Sequence, residues 1–175
     1  ECVTYSFIDQ ASAALFDGGA DATMLENPIS ADMSHMRPSL LPGLLKAAAR
    51  NQARGYADVA LFEVGPAFNG GEPGEQFNQV AGLIVGRTGP KDVHGASRPV
   101  DLFDVKADAE AVLAAIGAPA KVQIMRSGPD WWHPGRHGVI CLGPKKVLGT
   151  YGEVHPRVLA AMDVKGPAMA FTLWP

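Results

Sequence analysis

Apolar residues recur at helical spacing in two places along the chain and gather in short, turn-bounded runs elsewhere. In the first place, Leu41, Leu44, Leu45 and Ala48 stand at i, i+3, i+4 and i+7, the spacing of one buried helix face. Ser39 can cap this helix, Pro38 precedes the cap, and Gly55 stops it. Pro42 lies in the first turn, where a missing N–H costs no intrahelical bond. In the second, Val105, Ala109, Val112, Leu113 and Ile116 predict a helix opening at Asp104 or nearby and ended by Gly117. Two shorter helices are expected, over 9–16 from Asp9 to the Gly18-Gly19 pair, and from His155-Pro156 to about Met162. Runs at 2–8, 59–68, 79–86, 122–125, 139–142, 147–154 and 168–174 read as strands. Residues 23–29 read as extended, leading into a loop at Asn27-Pro28, because the residue before proline is pushed toward extended geometry. The turn-rich loop 69–75 makes 59–68 and 79–86 a hairpin, and the aperiodic stretch 87–100 reads as a mobile surface connection. About seven strands and four helices result. Strands joined mostly by hairpins favour an α+β fold with a mixed or antiparallel sheet over a doubly wound parallel one.

With 175 residues, 47% of them hydrophobic, a chain of this size buries ~70% of its unfolded surface. One domain spanning 1–175 is the natural reading. A net charge of −3 argues against nucleic-acid binding by bulk electrostatics and leaves room only for a local basic patch. Cys2 and Cys141 are too few and too far apart for a disulfide framework or a zinc site, which points to reduced thiols and a cytoplasmic setting. A membrane span would need a run of about 18 apolar residues, and a signal peptide a charged-then-apolar leader; neither pattern is found. Glu1 opens almost directly into strand-like sequence, so the chain reads as a segment of a longer polypeptide.

Candidate chemistry is sparse. His133 and His137 flank Gly135-Arg136 at a spacing that invites a metal, yet no third or fourth ligand accompanies them, and loop structure is the stronger reading. Trp131 and Trp132, adjacent on an extended segment, should face opposite sides, leaving one as a lid on the core or as a partner contact. Gly86, Gly89 and Gly95 lack the spacing of a phosphate-cradling loop, and no G-x-S-x-G elbow offers a nucleophile. No catalytic, cofactor-binding or metal-binding residue is nominated. Lys46, Arg50 and Arg54, four residues apart, drift only about 40° per step around a helix and line one stripe. That stripe is either a solvated cationic face or a contact for phosphate or an acidic partner.

Ordered motifs run through nearly the whole chain: Asn27-Pro-Ile-Ser, Met36-Arg-Pro-Ser-Leu-Leu-Pro-Gly-Leu-Leu, Asn51-x-x-Arg54, Leu61-Phe-Glu-Val-Gly, Asp101-Leu-Phe-Asp-Val-Lys, His133-Pro-Gly-Arg and Gly149-x-x-Gly-Glu-Val-His-Pro. In these the chain resembles the catalytic-like core domain of the bacterial phenylalanyl-tRNA synthetase β chain. It departs where the family usually carries Thr in place of Pro38 and an aromatic near His94. The resemblance implies a class II synthetase-like antiparallel or mixed sheet flanked by helices, in a subunit that is not itself the catalyst. It implies a partner, the α subunit, in an α2β2 assembly that charges tRNA(Phe) with ATP and Mg²⁺, none of which this segment need hold. Class II sites carry an Arg on the strand after the central helix and another near the last strand. Here the first strand has Glu63 and no Arg, and 168–174 has none. Asn27, Pro28 and Arg37 then take structural roles, with Arg37 holding the loop against the central helix. The family's first strand follows a long interface helix, so this segment is expected to expose an apolar patch near Phe7, Ile8 and Leu15 and to self-associate weakly.

Overall fold

The computed structural model describes residues 1–89, 93, 95–119 and 121–175. Two short strands, β1 (Phe7–Ile8) and β2 (His35–Met36), pair antiparallel. The main sheet holds β3 (Val59–Phe68), β4 (Gln76–Val85), β5 (Gln123–Met125), β6 (Trp132–Leu142), β7 (Lys146–Val154) and β8 (Ala168–Leu173), in the order β3-β4-β8-β7-β6-β5. Every neighbouring pair in it is antiparallel. Four helices accompany the sheets: α1 (Gln10–Ala14), α2 (Leu41–Ala53), α3 (Leu102–Ala115) and α4 (Pro156–Ala161). The fold is α+β, and β8, the last strand, inserts between the β3–β4 and β6–β7 hairpins to join them.

That central position explains the sequence of β8. Ala168 and Ala170 face a core shared with α2, while Met169, Phe171 and Leu173 face a second core shared with α3. Both faces are buried, so the strand reads as a nearly continuous apolar run, broken by Thr172, whose hydroxyl bonds that of Thr150 at 3.0 Å. On the α2 side, Leu41, Leu44, Leu45 and Ala48 pack with Leu83, Val85 and Ala170. Each such leucine contributes about 1.5–3 kcal/mol by leaving water. On the α3 side, Phe171 lies across Gly82 so closely that a Cβ there would overlap its ring.

The start of α2 differs from the expected Ser39 cap. Leu40 is the capping residue, and the acceptor for its amide is Oε1 of Gln79 on β4, at 2.8 Å; the Ser39 hydroxyl donates to the same oxygen at 3.0 Å. The Ser39 hydroxyl oxygen still accepts the Leu41 amide at 3.2 Å, so the local bond expected of Ser39 is present and a long-range partner adds to it. Gly55 ends the helix with φ of +93°, a conformation that glycine adopts at little cost. In α3 the cap is Asp101 rather than Asp104. Asp101 accepts from the Phe103 amide and Asp104 reaches back to the Asp101 amide, both at 2.8 Å.

Strand lengths also needed correction. The expected strand 2–8 is regular only at Phe7–Ile8; before that the segment lies along β3 through the Cys2 amide, which donates to the Phe62 carbonyl at 2.7 Å. Strand β2 was hidden in the loop after Asn27-Pro28, and it makes eight strands among the described residues instead of seven. The expected extension over 23–29 loses only Thr23, which ends a tight turn at Asp21–Thr23; Met24 is extended and bridges to His35. Strand β6 begins at Trp132 rather than Val139, because Pro134, Gly135 and Gly138 mask a strand whose register with β7 is irregular between Trp132 and His137. Strand β4 starts at Gln76, and β5 leaves out Val122. Of the surface connection 87–100, residues 90–92 and His94 lie outside the described residues. Its ends are tied, with the Thr88 amide donating to the Arg98 carbonyl and the Val100 amide to the Gly86 carbonyl, each at 3.0 Å.

Candidate functional site

Strand β3 forms one edge of the main sheet, and its alternation gives it two different faces. Leu61 and Glu63 point toward α2; Phe62 and Val64 point the other way. Glu63 is fully enclosed. Its Oε1 accepts from Arg37 Nη1 at 2.8 Å and from the Thr4 amide at 3.1 Å, and its Oε2 accepts from the Thr4 hydroxyl at 2.7 Å. Arg37 also donates through Nε to the Pro66 carbonyl at 2.9 Å and through Nη1 to the Thr4 hydroxyl at 2.8 Å. These bonds fasten the N-terminal segment to β3. Arg37 is thus buried and bonded to a backbone carbonyl and a carboxylate, as expected from sequence, but what it holds is the N-terminal segment against β3 and not the 27–36 loop against α2. Gly43 lets the helix approach the same cluster, since a Cβ there would overlap the Thr4 side chain.

The opposite face of β3 is uncovered. Helix α3 packs on β8, β7 and β4 and stops short of β3, leaving Phe62 47% and Val64 61% exposed. On the neighbouring N-terminal segment Val3 is 92% and Tyr5 74% exposed. Beside them a cleft of about 460 Å³ is lined by Val3, Tyr5, Phe7, Met33, Lys46 and Arg50 among others. Ile8 is buried and Leu15 half-buried against the α2 core, so the expected apolar patch shifts from Ile8 and Leu15 toward Val3, Tyr5, Phe62 and Val64. Asn27 and Pro28 lie exposed in the loop that follows, next to an exposed Ile29. The period-two alternation of β3 could have revealed Phe62 and Val64. Nothing local marked Thr4 as the third member of the Arg37–Glu63 cluster.

The cationic stripe on α2 is broken. Lys46 donates to Asp9 Oδ2 at 2.6 Å, and only Arg50 and Arg54 stand exposed. Burial alone would raise the Asp9 carboxyl, but the Lys46 ammonium and the hydroxyl and amide of Ser12 outweigh it and hold Asp9 at about 2. The two tryptophans do not divide between opposite faces. Trp131 precedes β6, and both pack against the α2-side core. Trp132 is fully buried, its Nε1 donating to the Thr150 hydroxyl at 3.1 Å. Trp131 is half-buried with its ring centroid 5.7 Å from that of Phe16, and its indole nitrogen lacks a hydrogen-bond partner among the described residues.

Around the His133-Pro-Gly-Arg motif, the histidines are used by the backbone. His133 Nδ1 accepts from the Gly135 amide at 3.1 Å, and His137 Nδ1 donates to the His133 carbonyl at 2.8 Å. Arg136 donates to both carboxylate oxygens of Glu153, at 2.5 and 2.8 Å, and that carboxylate raises its pKa above the ordinary arginine value. No group of three His, Cys, Asp or Glu among the described residues is arranged to hold a metal ion. Glu63, whose two oxygens already accept from Arg37 and Thr4, is not free to hold a Mg²⁺–nucleotide, and helices cover both faces of the central strands. Among the described residues no helix is long and apolar enough to cross a membrane.

Residues 1–174 match the family model described as the phenylalanyl tRNA synthetase beta chain CLM domain. The phenylalanine–tRNA ligase beta subunit of Ruegeria pomeroyi is 81% identical over 175 residues, covering 100% of this chain and 22% of the relative. That of Cereibacter sphaeroides is 66% identical over 173 residues, covering 99% and 21%. The chain thus spans about a fifth of the length of these curated relatives. Among solved structures, the pyrrolysyl tRNA synthetase of Desulfitobacterium hafniense superposes with a TM-score of 0.69 at 15% identity, over 99% of this chain and 59% of that one. This likeness shows a class II synthetase-like fold.

Proposed function

The chain belongs to the phenylalanyl-tRNA synthetase β chain family, and we propose that it is one synthetase-fold domain of a longer β chain, performs no chemistry of its own, and supports assembly with a catalytic α subunit. In that reading the α2β2 holoenzyme charges tRNA(Phe) in the cytoplasm with ATP and Mg²⁺ supplied at the α subunit. The observation that carries it is the state of β3. Activating an amino acid with ATP requires free cations on the phosphates and carboxylates on the metal. Here the one charged pair at that strand, Arg37 and Glu63, is buried and mutually satisfied, while the opposite face presents Phe62 and Val64 to solvent.

A surface with this composition is suited to a protein partner. Exposed aromatic and aliphatic side chains on a rigid strand supply the apolar centre that interfaces bury. The same patch supports weak self-association of the isolated chain. Direct tRNA contact by Lys46, Arg50 and Arg54 has less support, since Lys46 is paired with Asp9. Phenylalanine-dependent exchange of pyrophosphate into ATP tests the reading. The α subunit with the complete β chain should exchange, and this chain alone should stay at the no-protein level. Exchange by this chain alone, lost on Glu63→Gln, would overturn it.

A further inference from the structure

At the end of the sheet opposite β3, a cleft of about 320 Å³ opens between β5, β6 and α4, at the small end of the ~300–1,000 Å³ of ligand sites. Arg126 from the end of β5 and Arg157 from the start of α4 both line it, together with Ser127, Asp130 and His155. Among the described residues, Arg37 pairs with Glu63, Arg98 with Asp104, Arg136 with Glu153 and Arg87 with Ser97, while Arg50 and Arg54 stand free on the open face of α2. The guanidinium groups of Arg126 and Arg157 also lack a partner among the described residues, and unlike Arg50 and Arg54 they line one cleft together. Gathering two like charges from separate elements into one concavity is unfavourable unless an anion enters, and the single carboxylate of Asp130 offsets only one of them.

The neighbouring histidines fit the same chemistry. Nδ1 of His155 accepts the Arg157 amide at 3.1 Å, which leaves Nε2–H as the ring's donor. His137 forms the floor: its Nδ1 donates to the His133 carbonyl and its Nε2 is shut behind Gly128. The two guanidinium groups, the imidazole N–H and the Ser127 hydroxyl are all donors suited to oxygens that carry charge.

We infer that this cleft binds a phosphate group, and that in the assembled enzyme the phosphate belongs to the backbone of bound tRNA. The choice of RNA rests on the family reading above; the phosphate chemistry does not. The site is separate from the α2 stripe and lies across the sheet from the Phe62–Val64 face, so tRNA contact and subunit assembly can be tested apart.

The complete β chain assembled with its α subunit provides the material, with R126A/R157A compared against R50A/R54A, which removes the same charge elsewhere. Affinity for tRNA is measured across a salt series, and inorganic phosphate is titrated separately. R126A/R157A should weaken tRNA binding about tenfold and reduce the slope of log affinity against log salt by roughly one, for the single phosphate lost, with a much smaller effect from R50A/R54A. Saturable phosphate binding lost in R126A/R157A while tRNA affinity is unchanged would keep the phosphate site and assign it to a small ligand. Equal losses in both double variants, no loss in either assay, or loss of α-subunit binding instead would overturn the inference. Because assembly is scored in the same samples, failure of the subunit reading shows separately, as wild-type β that does not bind α.

Discussion

Nη1 of Arg37 lies 2.8 Å from Oε1 of Glu63, with both side chains only 2% exposed. Residues 26 apart in the chain thus share one enclosed ion pair, and Thr4 closes it from the N-terminal segment. Removing one member leaves the other charged and dry, which costs about 3–5 kcal/mol. Arg37→Met and Glu63→Leu should each lower unfolding free energy by about that much, and the double variant by much less than the sum. Denaturant titration of the four proteins measures this; simple additivity would show that the pair is not coupled.

A second ion pair makes the stability depend on acid. Asp9 is held at about 2 in the folded chain against an ordinary 3.8. Its folded value is the lower one, so its contribution is fully present above 3.8 and is lost as pH falls toward 2. The full difference converts to about 2 kcal/mol, and because the Lys46 and Asp9 side chains are about a third exposed, solvent screening leaves about 1 kcal/mol. Lys46→Met should flatten stability between pH 4 and 2 relative to wild type, read as melting temperature against pH.

Gly43 poses a contest between two effects of opposite sign. Alanine inside a helix is favoured over glycine by about 1 kcal/mol. A Cβ at this position would overlap Thr4, which its bonds to Glu63 and Arg37 hold in place, and overpacking of that kind costs about 1–3 kcal/mol. The clash should win, so Gly43→Ala should destabilise. A higher melting temperature for the variant would show that the N-terminal segment yields.

The elements most legible in the sequence were those fixed by local periodicity. The leucines of α2 and the β3–β4 hairpin are examples, because burial of one face imposes the spacing directly. What escaped depended on partners far along the chain. Gln79 joins Ser39 as an acceptor at the start of α2, and His35–Met36 becomes a strand only because Phe7–Ile8 lies beside it. At the candidate site, the lack of an Arg at Glu63 was visible at once. The convergence of Arg126 and Arg157 was not, since neither residue sits in a periodic element that the other shares.

In the proposed function, this domain joins its partner through the uncovered side of the β3 edge. Phe62→Asp/Val64→Asp, placed in the complete β chain and co-expressed with the catalytic α subunit, tests it most directly. Both side chains are exposed, so folding should survive, while charges set into an apolar interface centre should cost at least tenfold in affinity. The variant β chain should melt like wild type and no longer co-elute with α on size exclusion. Undiminished co-elution at wild-type stoichiometry would contradict it.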